Sequence, residues 1–115
     1  MQYMLLIYSN ESKLAAMREK MGREVLPAFV AYTKAMKDNG VFVAGDRLQP
    51  SSSATTVRCV DGRNQVLNGP YAETKEQLGG YYIIDVPDLD AALSWASRCP
   101  ATQYGVLEVR PVFAM

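Results

Sequence analysis

Apolar positions in this chain follow two rhythms, one recurring every second residue and one every third or fourth, with turn formers between them. Tyr3 to Tyr8 predicts a first strand, ended by Ser9-Asn10. Ser12 predicts a helix N-cap, and Leu14, Met17 and Met21 follow at helical spacing. Gly22 interrupts that spacing. Leu26, Phe29, Val30, Thr33 and Met36 resume it on one face, and Pro27 suits a helix only in the first turn, so a break or kink is expected near Gly22-Arg23. Gly40 predicts the C-cap, with Lys34 and Lys37 placed to offset the negative end of the helix.

Val41 to Leu48 predicts the second strand and Ala54 to Val60 the third, joined by the polar loop Pro50-Ser51-Ser52-Ser53. Asp61-Gly62 signals a tight turn into a short return strand around Gln65 to Leu67. The next stretch, Asn68 to Gly80, is dense in turn formers and charge. Asn68-Gly69-Pro70 ends the pairing, Thr74 with Gln77 matches a capping box, a helical turn is expected over Lys75 to Leu78, and Gly79-Gly80 stops it. Tyr81 to Val86 carries the strongest strand pattern. Asp88 then caps a helix whose buried face is Leu89, Ala92, Leu93 and Ala96, with Pro100 just beyond its end. Tyr104 to Val112 predicts the last strand. The order β-α-β-β-(short β)-β-α-β implies an α+β fold with a ferredoxin-like βαββαβ core and an extra short hairpin strand.

The strand faces carry a further consequence. Tyr3, Leu5 and Ile7 point one way and Met4, Leu6 and Tyr8 the other; Tyr81 and Ile83 oppose Tyr82, Ile84 and Val86. A sheet with one wet face alternates apolar and polar residues, and a pair of helices covers one side only. A second copy of the sheet is the simplest cover for the other side, which predicts a two-fold homodimer. The alternative is a monomer whose long loops fold over the sheet.

The 115 residues make one domain with one core, and the 49% hydrophobic content is typical of a globular chain. A formal net charge of zero argues against a nucleic-acid partner. The N-terminal apolar run has no basic flank and is too short for a signal peptide or a bilayer span, so a cytoplasmic protein without a membrane partner is expected. Cys59 and Cys99 lack metal-ligand spacing and predict reduced, buried side chains. The absence of His removes the usual neutral-pH proton shuttle and the commonest metal ligand, and no acidic spacing suggests a calcium loop. No metal and no cofactor are expected.

Gly45, Leu48-Gln49-Pro50, Ala54 to Arg58, Asp61-Gly62, Gly69 to Glu76, Gly79 to Tyr82, Asp88-Leu89-Asp90 and Glu108 to Pro111 together resemble the DGPF-domain branch of the YCII-related proteins. The resemblance spans Tyr3 to Val112. It implies a dimeric α+β barrel of ferredoxin-like subunits and no established reaction. It also suggests, as an alternative to ligand binding, a non-catalytic interaction or regulatory protein beside a sigma-factor-like partner. This chain departs from the pattern where Asn68 replaces the Asp of the family's name motif. The His and Asp of a pair proposed for the related YCII proteins fall near Phe29 and Cys99, so that dyad is missing.

Charge in otherwise apolar strands supplies the remaining candidates. Asp46-Arg47 lies on the second strand, and Glu108 and Arg110, two apart, share a face of the last. These groups suit either an Arg fork that binds a small polar or anionic molecule or structural salt bridges at a dimer seam. Glu73, Lys75 and Glu76 suit loop-anchoring ion pairs better than catalysis at Lys75, because neighbouring carboxylates favour the charged amine. The candidate site comprises Asp46 and Glu73 as catalytic carboxylates, with Tyr8, Asn68, Tyr71, Lys75 and Arg110 as ligand-binding residues. It is expected in a pocket between the sheet and the first helix, with lyase- or isomerase-type chemistry.

Overall fold

The computed structural model describes residues 1–114. Strand β1, Gln2–Ser9, leads into helix α1, Glu11–Ala16, a short turn α2, Arg18–Lys20, and helix α3, Leu26–Asp38. Strand β2, Phe42–Arg47, is followed by a hairpin of β3, Thr55–Val60, and β4, Arg63–Asn68. Strand β5, Gln77–Asp85, helix α4, Leu89–Ser97, and strand β6, Gly105–Pro111, complete the chain. The main sheet is four-stranded and antiparallel with the order β2-β5-β1-β6, and β3 and β4 pair separately. The fold is mixed α+β. No helix among the described residues is long and apolar enough to cross a membrane.

The expected break near Gly22 is a widened π-helical turn over Met21–Val25. Pro27 lies in the first turn of α3, where its missing N–H costs no hydrogen bond. The N-cap of α1 is Asn10 rather than Ser12, since the Asn10 side chain accepts from the Lys13 amide at 3.0 Å. Asp88 caps α4 as expected by accepting from the Ala91 amide at 2.9 Å. Asp61 and Gly62 turn the hairpin with φ of 52° and 77°, the positive values a two-residue type I′ turn requires.

The stretch between the hairpin and β5 corrects the sequence reading. No helical turn forms over Lys75 to Leu78; Gln77 already belongs to β5, and Gly79-Gly80 lies inside that strand. Gln77 spends its side chain on two neighbours instead, donating to the Thr74 carbonyl at 2.6 Å and accepting from the Glu11 amide at 3.0 Å. The same junction is tied by Asn10 Nδ2 donating to the Lys75 carbonyl and by the Glu11 carboxylate accepting from the amide and hydroxyl of Ser51. The connection is therefore anchored through amides and main chain; among the described residues Glu73, Lys75 and Glu76 form no ion pair.

The core lies on one side of the sheet. Tyr3, Leu5 and Ile7 from β1 and Tyr82 and Ile84 from β5 pack against Tyr32 and Met36 of α3 and Ala92 and Ala96 of α4. Tyr32 anchors the two helices to each other by donating from its hydroxyl to the Trp95 carbonyl at 2.7 Å. The buried stripe of α4 is narrower than the spacing suggests, since Leu89 and Leu93 are exposed, and Val30 of α3 is 72% exposed. Cys99 is buried as expected, but Cys59 is exposed on β3 because neither face of the hairpin is covered. Met4, Leu6, Tyr8, Tyr81 and Ile83 occupy the other face of the main sheet, where they are half-buried and, among the described residues, stand outside the core. A radius of gyration of 16.0 Å reflects this flat shape, whereas a compact chain of this length has about 13 Å.

Gly45 is required by close approach. A Cβ there would lie 2.5 Å from Cδ1 of Tyr82. The Tyr82 ring cannot swing away freely, because its hydroxyl pairs with Thr33 at 2.9 Å and its edges pack on Tyr32 and Phe42. Gly45→Ala should therefore destabilise by about 1–3 kcal/mol, the usual range for overpacking. A denaturant midpoint unchanged from the parent would show that the ring yields without strain.

Candidate functional site

A cavity of about 320 Å³ opens between α3 and the sheet. Strand alternation decides which residues reach it. Gly45 pairs with Tyr82 and Arg47 with Gly80, and paired residues share a face, so Arg47 and Tyr82 rise on the helix side. Gly79 and Gly80 line the cavity without side chains, which leaves room above the sheet. The helical side contributes Leu14, Met21, Leu26, Phe29, Thr33 and Lys37, so the widened turn at Met21–Val25 sits at the cavity wall. π-Helical turns inside α-helices recur at functional sites. Phe42 and Tyr104 add aromatic surface.

The polar groups form a small set on an apolar lining. Thr33 and Tyr82 share a hydroxyl–hydroxyl bond of 2.9 Å. Burial pushes the Tyr82 phenol up, and the bond with Thr33 pulls it partly back. Burial likewise raises the Tyr104 phenol, reinforced by Cys99 and opposed by the positive charge of Arg47. Both phenols are thus protonated at neutral pH and can donate hydrogen bonds. Lys37 holds its ammonium 5.0 Å from the centre of the Phe42 ring, a cation–π contact that keeps the charge beside the cavity. Lys37 and Arg47 make the site cationic. Burial pushes the Cys99 thiol up to about 11, which leaves it an inert core group.

The sequence-derived candidates are distributed over three regions. Asp46 lines the cavity rim, but its carboxylate accepts from Tyr81 at 3.1 Å, and Asp46 and Tyr81 pair on the face turned away from the helices. Tyr8 and Arg110 lie on that same face, Arg110 bound to Glu108 at 2.7 Å. Glu73, Lys75, Asn68 and Tyr71 are exposed on or beside the connection from β4 to β5, and Tyr71 is 78% exposed. Glu76 buries one carboxylate oxygen that has no hydrogen-bond partner among the described residues. Within a single chain, then, Asp46, Glu73 and Arg110 do not converge. No group of three or more His, Cys, Asp or Glu side chains suited to a metal ion occurs among the described residues.

Lys37, Tyr104 and the Thr33–Tyr82 bond are cavity features that the sequence did not place in the site, and Arg47, noted beside Asp46 as a charge in an apolar strand, was not among the candidate site residues. Arg47 had one usable signal. It is out of phase with Asp46 on the same strand, so one of the two had to face the helices.

The YCII-related domain profile matches residues 1–115. The chain belongs to the YCII-related domain family. An uncharacterised member from Rhizobium meliloti (strain 1021), protein R00369, is 37% identical over 116 residues, covering 97% of this chain and 92% of that protein. Among solved structures, the fold is similar to 5-chloro-2-hydroxyhydroquinone dehydrochlorinase (TftG) from Burkholderia phenoliruptrix AC1100, in its complex with 2,5-dihydroxybenzoquinone. That likeness has a TM-score of 0.58 at 14% identity and covers 100% of this chain and 96% of the other.

Proposed function

We propose that this YCII-related protein binds a small anion with an apolar or aromatic body in the cavity between α3 and the sheet, working as a homodimer of ferredoxin-like subunits. The observation that carries the reading is the pairing of Lys37 and Arg47 with an aromatic lining of Phe29, Phe42, Tyr82 and Tyr104. A carboxylate or phenolate held there gains charge-assisted hydrogen bonds from Arg47, which can bind two oxygens at once, while its body is shielded from water by the rings. The Tyr104 phenol and whichever hydroxyl of the Thr33–Tyr82 pair does not donate to the other supply further donors. A volume near 300 Å³ sits at the small end of ligand sites and suits a single-ring molecule.

A lyase- or isomerase-type step, the class to which the dehydrochlorinase of similar fold belongs, would need a base within reach of the bound molecule. The cavity phenols are held protonated, and the Asp46 carboxylate is bonded to Tyr81 on the opposite face. Binding is accordingly the better supported reading, with the cations as its working groups. Titration calorimetry with benzoate and with neutral benzamide tests it. Benzoate should bind and benzamide should bind at least tenfold more weakly. Arg47→Gln should cost benzoate about tenfold or more, since a hydrogen bond to a charged group contributes roughly 1.5–3 kcal/mol. Equal affinity for the two probes, or no loss in the variant, would refute an anion site.

A further inference from the structure

The two cations of the cavity do not stand together. Helix α3 and strand β2 run antiparallel past each other, and their contacts fix the order of groups along the site. Lys37 holds its ammonium 5.0 Å from the centre of the Phe42 ring. One helical turn back, Thr33 meets Tyr82, whose ring lies against Gly45. A further turn back brings Phe29 toward the end where Arg47 leaves β2. Arg47 pairs with Gly80, which has no side chain to cover the guanidinium, and its charge acts on the Tyr104 phenol. Lys37 and Phe42 therefore close one end of the cavity and Arg47 and Tyr104 the other, with the hydroxyl pair between them.

Phe42 and Arg47 are the first and last residues of β2, about 16 Å apart along an extended strand. The irregular pairing between Phe42 and Ala44 and the reach of the arginine shorten that span, which puts the two charges on the order of 10–15 Å apart. A carboxylate with a hydrogen bond of about 3 Å on either side bridges groups no more than about 8 Å apart. One anionic group thus satisfies one end only. Among the described residues neither Lys37 nor Arg47 forms an ion pair. Asp46, the one carboxylate among the described lining residues, is bonded to Tyr81 on the far face of the sheet.

We infer that the occupant of this cavity is a dianion, with its two anionic groups at opposite ends of a single ring or of a chain of similar length. The inference rests on the anion site put forward above and specifies its substrate class. Arg47 holds one carboxylate through a forked pair of hydrogen bonds, and Lys37 receives the other as a point charge beside Phe42. A ring with carboxylates across it, with about 3 Å of hydrogen bond at each end, spans about 13 Å and matches the separation of the cations. Its body lies along Phe29 and Tyr82. A monoanion of the same ring leaves one cation unmatched, so the spacing of charges sets selectivity along with their sign.

Titration calorimetry with benzoate, terephthalate and isophthalate tests the assignment. Terephthalate should bind about tenfold or more tighter than benzoate, because it adds a charge-assisted contact at the second end. Isophthalate carries the same charge on a bent frame and should bind about fivefold or more weakly than terephthalate. Lys37→Gln should cost terephthalate about tenfold and bring it within about threefold of benzoate in the same variant. Lys37 is exposed, so the circular dichroism of the variant should match the parent. Terephthalate that binds where benzoate is too weak to measure supports two ends acting together. Benzoate as tight as terephthalate, isophthalate that matches it, or a variant that weakens both probes by one factor overturns the dianion and leaves the anion site standing. If neither benzoate nor terephthalate binds, the anion site falls and the dianion with it.

Discussion

Leu5→Ala is expected to lower the free energy of unfolding by about 2–5 kcal/mol, the range for removing a buried leucine without refilling the space. Leu5 is fully buried in the centre of β1, flanked by Tyr82 on one neighbouring strand and Val109 on the other, beneath the helices. Its neighbours are fixed by backbone pairing on both sides, so the site cannot collapse easily and the cavity remains. Small domains have only about 5–15 kcal/mol to lose. Urea denaturation followed by far-ultraviolet circular dichroism would read the change as a lower midpoint with an unaltered slope. A loss below about 1 kcal/mol would mean that the core does not lie between this face and the helices.

Leu6→Lys, one residue along the same strand, should have the opposite profile. Its side chain points to the face turned away from the helices, so the subunit should keep its fold and most of its stability. The expected effect falls on assembly: the parent should sediment at twice the 12.7 kDa chain mass, and the variant at the chain mass itself. Lysine at the centre of two facing apolar sheets places two like charges in a desolvated interface with no partner, and such burial costs several kcal/mol per ion. A variant that remains dimeric at micromolar concentration would show that this face is not the interface. Together the two substitutions separate folding from association using adjacent residues.

The same alternation explains how much the sequence disclosed. Strand and helix rhythms located the main elements, because a period of two or of 3.6 is set by backbone geometry and survives in a single sequence. Local chemistry was equally legible at Asp61-Gly62, where positive φ is needed, and at Asp88, whose side chain caps the amide three residues on. The helical turn expected over Lys75 to Leu78 failed for a reason the sequence does not carry. Thr74 and Gln77 have capping chemistry, but Gln77 finds a partner in Glu11, sixty-six positions away, and its backbone pairs with Ser9. A long-range strand pairing overrode a local signal.

The candidate site divides along similar lines. The charged residues that break apolar strands were visible, yet which face each one takes depends on register, and register depends on which strands become neighbours. Asp46 and Arg47 illustrate the point, since adjacent residues fall on opposite sides of the sheet, one bonded to Tyr81 and the other lining the cavity. Lys37 was legible only as a helix-terminal charge; the tertiary structure set it over Phe42.

By itself the sequence determined the α+β class, the positions of most elements, and the presence of more apolar strand surface than a pair of helices can cover. Those properties follow from short-range geometry and from counting faces. The tertiary structure alone decided the strand order β2-β5-β1-β6, the cationic aromatic cavity under α3, and the separation of Asp46 from Arg110 across the sheet. Each of these depends on which distant segments pair, and that choice is made by the packing of the whole chain rather than by any one stretch of it.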